Sequence, residues 1–242
     1  LFRSGYRRII ETIAGAGYVV AAPSFPLADA EVAGENLDRG DIPNQSGDLR
    51  FVADQLTAGS ADPTAPEGSA GPGGSAVPAG PEGSGADAGA AALAAVRARI
   101  DPTRIGAVGH SDGADTVLDL GYHRDRLDRR VRAVVALSPD VVLPPGGPAA
   151  RPPLLLVHGT SDRIAPFSGS DTMFARLPVP RWLVGLTGAD HLGPVQGTAP
   201  WGAVLDRATL AALDRFVAER TLAPGDDLAD IATEGVATVR AS

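Results

Sequence analysis

Arg104-Ile105-Gly106-Ala107-Val108-Gly109-His110-Ser111-Asp112-Gly113 is the stretch on which the fold turns. It begins as an apolar run with little polar interruption, the pattern of a strand buried on both faces. It closes on Gly109-His110-Ser111-Asp112-Gly113, a G-x-S-x-G pattern, and residues 114–122 carry helical spacing. Strand, tight turn bearing a serine, then helix is the context of a nucleophile elbow. The pattern predicts Ser111 at a strained backbone position with its hydroxyl exposed. The flanking glycines are expected to leave room for the neighbouring strand and helix. The backbone N–H of Asp112, at the helix start, is predicted to face the oxygen that becomes negative in acyl transfer.

Outward from the elbow, strand and helix patterns alternate. Residues 131–137, 154–158 and 181–186 are short apolar runs predicted as strands. Residues 170–177 and 203–222 read as helices, the second with Val204, Leu210, Leu213, Phe216 and Val217 on its apolar face. Upstream, Phe2, Ile9, Ile10 and Ile13 share one face of a helix over residues 2–16. Gly17 ends it, and residues 18–22 read as a buried strand stopped by Pro23. Residues 24–43 are polar and predict a surface loop. Asn44 is expected to cap a helix reaching Thr57 through Leu49, Phe51, Val52 and Leu56. A short helix over residues 93–100 and the Asp101-Pro102 turn lead into the elbow strand. Together these predict a single α/β domain over residues 1–242, its mostly parallel sheet flanked by helices. The connection over residues 140–153 is too short for a lid domain, so an open site is expected. Residues 57–92, dominated by Gly, Pro, Ala and Ser, bury too little to offset their ordering entropy and predict a disordered insertion. The charged run over residues 124–132 reads as a solvated face.

Composition narrows the function. A net charge of −8 spread along 242 residues argues against nucleic acid as a partner. All 21 basic residues are Arg; beside so much Ala, Gly and Pro this reads as composition bias, not as an arginine site. The chain has no Cys, which excludes disulfides, thiolate metal sites and cysteine nucleophiles and fits a reducing or an oxidising compartment equally. No apolar run approaches the ~20 residues of a membrane helix, so no membrane span is expected.

A serine hydroxyl is a weak nucleophile at neutral pH and needs a base in hydrogen-bond reach, itself oriented by a carboxylate. Only four histidines are available. His110 lies inside the elbow, with its side chain expected to point away from that of Ser111. His123 lies at the far end of the elbow helix, and His158 at a strand end where it would shape the next turn. His191 follows the last predicted strand, in Gly188-Ala189-Asp190-His191-Leu192-Gly193, at the carboxyl edge where open α/β sheets place their ligands. It is the candidate base. For the acid, Asp162 in Gly159-Thr160-Ser161-Asp162 follows the strand over residues 154–158 and has the right position. Asp140 is the alternative, and Asp190 is too near His191 in sequence to face its Nδ1. Turn capping is the structural role open to each of these aspartates. Ser111, Asp162, His191 then run in the order Ser–acid–His.

With these residues in view, the sequence resembles the α/β-hydrolase superfamily. Within it, the dienelactone-hydrolase-like, chlorophyllase-like and platelet-activating-factor-acetylhydrolase-like esterases are most similar. The resemblance runs from about Arg3 to Leu222, interrupted by residues 57–92. It rests on Gly17-Tyr18-Val19-Val20-Ala21-Ala22-Pro23, Ile100-Asp101-Pro102-Thr103-Arg104-Ile105, the elbow, His158-Gly159-Thr160-Ser161-Asp162 with Ile164-Ala165-Pro166, and Gly188-Ala189-Asp190-His191. It implies an α/β-hydrolase fold and a serine hydrolase acting on a small-molecule or lipid-like ester. In it Ser111 is nucleophile, Asp162 acid, His191 base and the Asp112 N–H an oxyanion donor, with no metal or organic cofactor required. Phe25, Phe167 and Leu192 are candidates to line an apolar substrate pocket. Asp112 departs from the family, which carries an apolar or amide residue there, and so does Ala114, where many relatives have Gly. The family also places a strand ending in a His-Gly pair ahead of the first helix, and the loop after it gives the second oxyanion donor. Residues 1–5 already enter the helix here. The N-terminal strands and second donor are therefore expected to be missing, as from a fragment of a longer product, leaving a gap beside the elbow strand. Asp112 and this gap motivate a second expectation, a hydrolase-fold protein that binds without turnover.

Overall fold

The computed structural model describes residues 3–34, 36, 38–58, 85–141, 143, 151–177 and 180–242. A 3-10 turn, Arg3–Tyr6, leads into α1 (Arg7–Gly15). It is followed by α2 (Ala30–Ala33), α3 (Ile42–Thr57), α4 (Gly85–Arg97), β1 (Ile105–His110) and α5 (Asp112–Tyr122). Then come β2 (Val131–Leu137), β3 (Leu154–Gly159), α6 (Phe167–Arg176) and β4 (Arg181–Leu186). The chain continues through α7 (Gly193–Gln196), α8 (Trp201–Phe216) and β5 (Ala237–Ala241).

The five strands form one sheet in the order β1-β2-β3-β4-β5, with β1 to β4 parallel and β5 antiparallel to β4. The apolar runs explain the parallel part. Leu154–Gly159 is buried along its whole length, and such a strand is stable only with helices over both faces. On one face Ile9 and Ile13 of α1, with Val204, Leu205 and Leu213 of α8, pack on Val135, Leu155 and Val184. On the other, Val117 and Leu118 of α5 and Met173 and Phe174 of α6 pack on Val134, Leu156 and Leu183. All four parallel strands thus deliver their carboxyl ends to one edge. No helix among the described residues is long and apolar enough to cross a membrane.

Several expectations are corrected. Residues 18–22 are irregular, not a strand. A strand needs a ladder partner, and among the described residues nothing pairs with the outer side of β1. Ile105 and Ser111 donate their N–H groups to Arg130 and Leu137 on the β2 side, so by alternation Gly106, Val108 and His110 turn theirs outward. A groove of about 710 Å³ lies there, with Ile9, Ile13, Tyr18, Val20, Phe25 and Ser111 among the residues that line it. Asn44 is not the cap of α3. The helix begins at Ile42 behind Asp41, with Pro43 in its first turn, and the Asn44 amide donates to Asp41 Oδ1 at 3.0 Å. The loop before it contains α2 and a 3-10 turn, Arg39–Asp41. The expected insertion over residues 57–92 is cut back by α4, which begins at Gly85, eight residues before the predicted helix start at residue 93. The alanine-rich stretch over residues 90–95, with Leu93 within it, lowers the entropic opposition to a helix. Residues 59–84 of that insertion and residues 144–150 of the short connection lie outside the described residues.

Of the two elbow glycines only Gly109 is required by space. A Cβ there would meet the Gly113 carbonyl oxygen at 2.0 Å and the Ala114 nitrogen at 2.8 Å. These are backbone atoms of α5, so no rotamer relieves the clash. At Gly113 a Cβ would meet nothing within 4 Å. Gly109→Ala is therefore expected to destabilise the fold by about 3 kcal/mol and Gly113→Ala to leave it within about 0.5 kcal/mol. Urea midpoints of the two variants check this; equal midpoints would show that β1 and α5 do not need close approach.

Candidate active site

The turn from β1 into α5 holds Ser111 at φ 57°, ψ −126°, a left-handed region that a serine occupies only when its surroundings impose it. Three contacts impose it. The Ser111 N–H donates to Leu137 O at 2.9 Å, and its carbonyl accepts from Ala114 and Asp115 at 2.8 and 3.1 Å. Asp112 is the first residue of α5, so its N–H has no acceptor within the helix.

The turn after β3 carries Asp162, the candidate acid, and the loop after β4 carries His191, the candidate base. His191 Nε2 lies 2.9 Å from Ser111 Oγ, and His191 Nδ1 lies 2.7 Å from Asp162 Oδ2. The elements that carry them are locked together. Thr160 N–H donates to Leu186 O at 2.9 Å, Ser161 N–H to Ala189 O at 3.0 Å, and Gly188 N–H to Thr160 Oγ1 at 2.9 Å. A Cβ on Gly159 would lie 2.4 Å from Ala189 O. A glycine at the end of β3 is therefore what lets the two loops meet. Asp162 Oδ1 accepts from Ile164 and Ala165 N–H at 2.8 and 2.9 Å, leaving Oδ2 for the histidine. Burial alone would raise this carboxyl, but the His191 hydrogen bond and those two N–H groups hold it below the ordinary carboxylate range.

A serine oxygen against an imidazole whose other nitrogen faces a buried carboxylate can accept and return a proton through one ring. No protein-family model matches the chain. The chemistry is carried by these atoms alone.

The other candidates fall elsewhere. Asp190 Oδ1 accepts from Leu192 and Gly193 N–H at 3.2 and 2.7 Å, a turn cap that shapes the loop before α7. Asp140 is exposed and pairs with Arg39. His123 accepts from Asp125 N–H at the far end of α5. His158 is fully buried, with Nε2 2.8 Å from Ala165 O and 3.2 Å from Asp162 Oδ2, so it braces the turn that carries the acid. Burial favours its neutral form and lowers its pKa. Of the pocket candidates, Phe25 lines the groove. Phe167 does not: its ring packs on His158 at 5.7 Å, on the α6 face of the sheet. Leu192 is half-buried ahead of α7 and is likewise absent from the groove wall.

Two features escaped the sequence. Arg39, in the loop before α3, donates to Asp112 Oδ1 through Nη2 at 2.6 Å and Nε at 3.0 Å, and to Asp140 Oδ2 at 3.0 Å. These bonds to Asp112 and Asp140 raise its pKa further. The carboxylate beside Ser111 is thus paired and drawn toward the loop, although the pair is too exposed to add much stability. Arg39 is the one basic residue in the stretch over residues 24–43, but no local signal there points to Asp112 as its partner. Asp115 is the second. It is buried in α5, its Oδ1 accepts from Asp140 and Val141 N–H at 3.1 and 3.2 Å, and Oδ2 has no partner. Burial pushes its pKa up to about 6 against the pull of those N–H groups.

That shift has a sign. The folded state binds the Asp115 proton more tightly than the unfolded chain does, so stability falls as pH rises from the ordinary carboxylate range through about 6. Asp115→Asn removes the ionisation. It is expected to stabilise the fold by about 2 kcal/mol above that window, with the gain gone in acid. Urea titrations at a mildly alkaline and an acid pH check it, and a gain equal at both would assign the effect to packing instead.

Proposed function

We propose that the chain is a serine carboxylic-ester hydrolase with the α/β-hydrolase fold. The observation that carries this reading is the continuous relay Ser111–His191–Asp162, with links of 2.9 and 2.7 Å, after the ends of β1, β4 and β3 on one sheet edge. Ser111 Oγ attacks the ester carbonyl while His191 Nε2 takes its proton. Asp162 keeps the imidazole in the tautomer with the proton on Nδ1 and stabilises the imidazolium that forms. The Asp112 N–H, free at the head of α5, hydrogen-bonds the developing oxyanion; one such donor is typically worth about 10²–10³ in rate. The C–O bond of the tetrahedral intermediate then breaks, and His191 gives its proton to the departing alcohol. Water, deprotonated by the same ring, attacks the acyl-enzyme, and collapse of the second intermediate returns Ser111 and releases the acid.

Hydrolysis of p-nitrophenyl acetate and butyrate, with peptide mapping after a fluorophosphonate, tests this reading. Turnover together with a phosphonyl adduct on Ser111 is expected. Ester binding without turnover and without an adduct would replace the enzyme reading by a binding protein on the same scaffold.

A further inference from the structure

We infer that His110 is the positioning residue of the base: with its tautomer set by Tyr6, it holds the His191 main chain so that the His191 ring stays between Ser111 and Asp162. The inference rests on the triad reading and adds to it a part for the histidine next to the nucleophile.

The hydrogen bonds define the state of the ring. His110 Nε2 lies 2.9 Å from the carbonyl oxygen of His191, which can only accept, so Nε2 carries a proton. His110 Nδ1 lies 3.0 Å from the Tyr6 hydroxyl, which can donate to it. A neutral ring with the proton on Nε2 satisfies both contacts, and burial keeps His110 neutral by drawing its pKa down to about 4. The ring also lies against that of His191, with centroids 4.6 Å apart. His110 and Ser111 are consecutive at the end of β1. One strand end therefore holds His191 twice, by its main chain through His110 and by its ring through Ser111.

The site repeats the device on the acid. His158 Nδ1 lies 2.8 Å from the Ser170 hydroxyl and Nε2 lies 2.8 Å from Ala165 O, in the turn that presents Asp162. In both places a hydroxyl fixes the tautomer of a buried histidine and the opposite nitrogen holds the backbone of a triad loop.

His110→Phe keeps a ring and loses the donor, whereas His110→Gln keeps an N–H near the position of Nε2. His110→Phe is expected to lower kcat for p-nitrophenyl butyrate about 10- to 100-fold with KM unchanged, since a misplaced base slows chemistry without weakening binding. His110→Gln is expected to recover most of that loss. Tyr6→Phe is expected to fall between them. The low-field proton resonance of the His191 Nδ1–H···Asp162 bond gives a readout independent of turnover. It should broaden or shift in His110→Phe and return in His110→Gln. A folded His110→Phe with wild-type kcat and an unchanged resonance would overturn the inference, as would a loss that His110→Gln shares in full. If the wild-type chain hydrolyses no ester but the resonance follows this pattern, the esterase reading fails while the positioning of His191 stands.

Discussion

Replacement of Ser111 by Ala is expected to lower kcat for p-nitrophenyl butyrate by about 10⁵–10⁶-fold and to leave the melting temperature nearly unchanged. The two halves of this result have separate causes. The Ser111 side chain makes no capping bond at the start of α5, and its backbone is fixed by its own N–H and carbonyl contacts to Leu137, Ala114 and Asp115. An alanine keeps all of these and carries the same positive-φ strain, so the fold loses little. The proposed chemistry loses its nucleophile outright, because Oγ is the atom that would form the acyl bond. What remains is whatever the Asp112 N–H and a water positioned by His191 can do. Ser111→Gly separates strain from function. A glycine tolerates φ 57° without a Cβ penalty, and such strain is typically worth about 1–3 kcal/mol, partly offset by the entropy of a more flexible unfolded chain. It should therefore be as inactive as Ser111→Ala but melt higher. A melting temperature equal to that of Ser111→Ala would show that the elbow stores no strain, and Ser111→Ala with near wild-type turnover would remove Ser111 from the mechanism.

The parallel sheet was legible because its strands are long apolar runs. Val131–Leu137 and Arg181–Leu186 have the predicted bounds, since each holds a buried apolar run, residues 133–137 and 182–186, with arginine only at its amino-terminal end. β5 was not legible. Ala-Thr-Val-Arg-Ala is short and mostly exposed, and it becomes a strand through pairing with β4, a tertiary event without a local signal. Residues 18–22 show the converse, an apolar run that reads as a strand but meets no partner. In the site, Ser111, Asp162 and His191 could be picked out because each follows a strand that ends on the same edge. His110 could not. Alternation sends its side chain away from that of Ser111; whether it meets the His191 carbonyl depends on how the loop after β4 folds back, 81 residues later. Arg39 and Asp112 are likewise 73 residues apart, and their ion pair exists only because the loop before α3 folds over the elbow. The glycine reading was half right for a physical reason. Gly109 packs under the backbone of α5, while Gly113 lies on its open side.

Asp162→Asn is the second large effect, an expected loss of about 10⁴ in kcat with the fold intact. The surroundings of Asp162 dictate how the amide must sit. Its Oδ1 accepts two backbone N–H groups, from Ile164 and Ala165. An amide nitrogen there would face two donors, so the asparagine oxygen takes that place and its NH₂ takes the place of Oδ2. That NH₂ then points at His191 Nδ1, 2.7 Å away in the wild-type geometry, and donates to it. The imidazole must shift its proton to Nε2, which faces Ser111 Oγ. A nitrogen that carries a proton cannot accept one, and the base is lost although every atom stays close to its original place. Stability moves in the opposite sense to the Asp115 case. The fold holds the Asp162 carboxyl below its ordinary range, so the ionised group stabilises the native state at neutral pH, and this contribution fades as pH falls through the carboxylate range. The asparagine variant should therefore melt lower than wild type at neutral pH and converge with it in acid. Steady-state kinetics with p-nitrophenyl butyrate, together with melts at neutral and acid pH, measure both effects. Full activity in a folded Asp162→Asn would mean that His191 is oriented by another carboxylate, and Asp140, paired with Arg39 here, would have to leave that pairing to take the part.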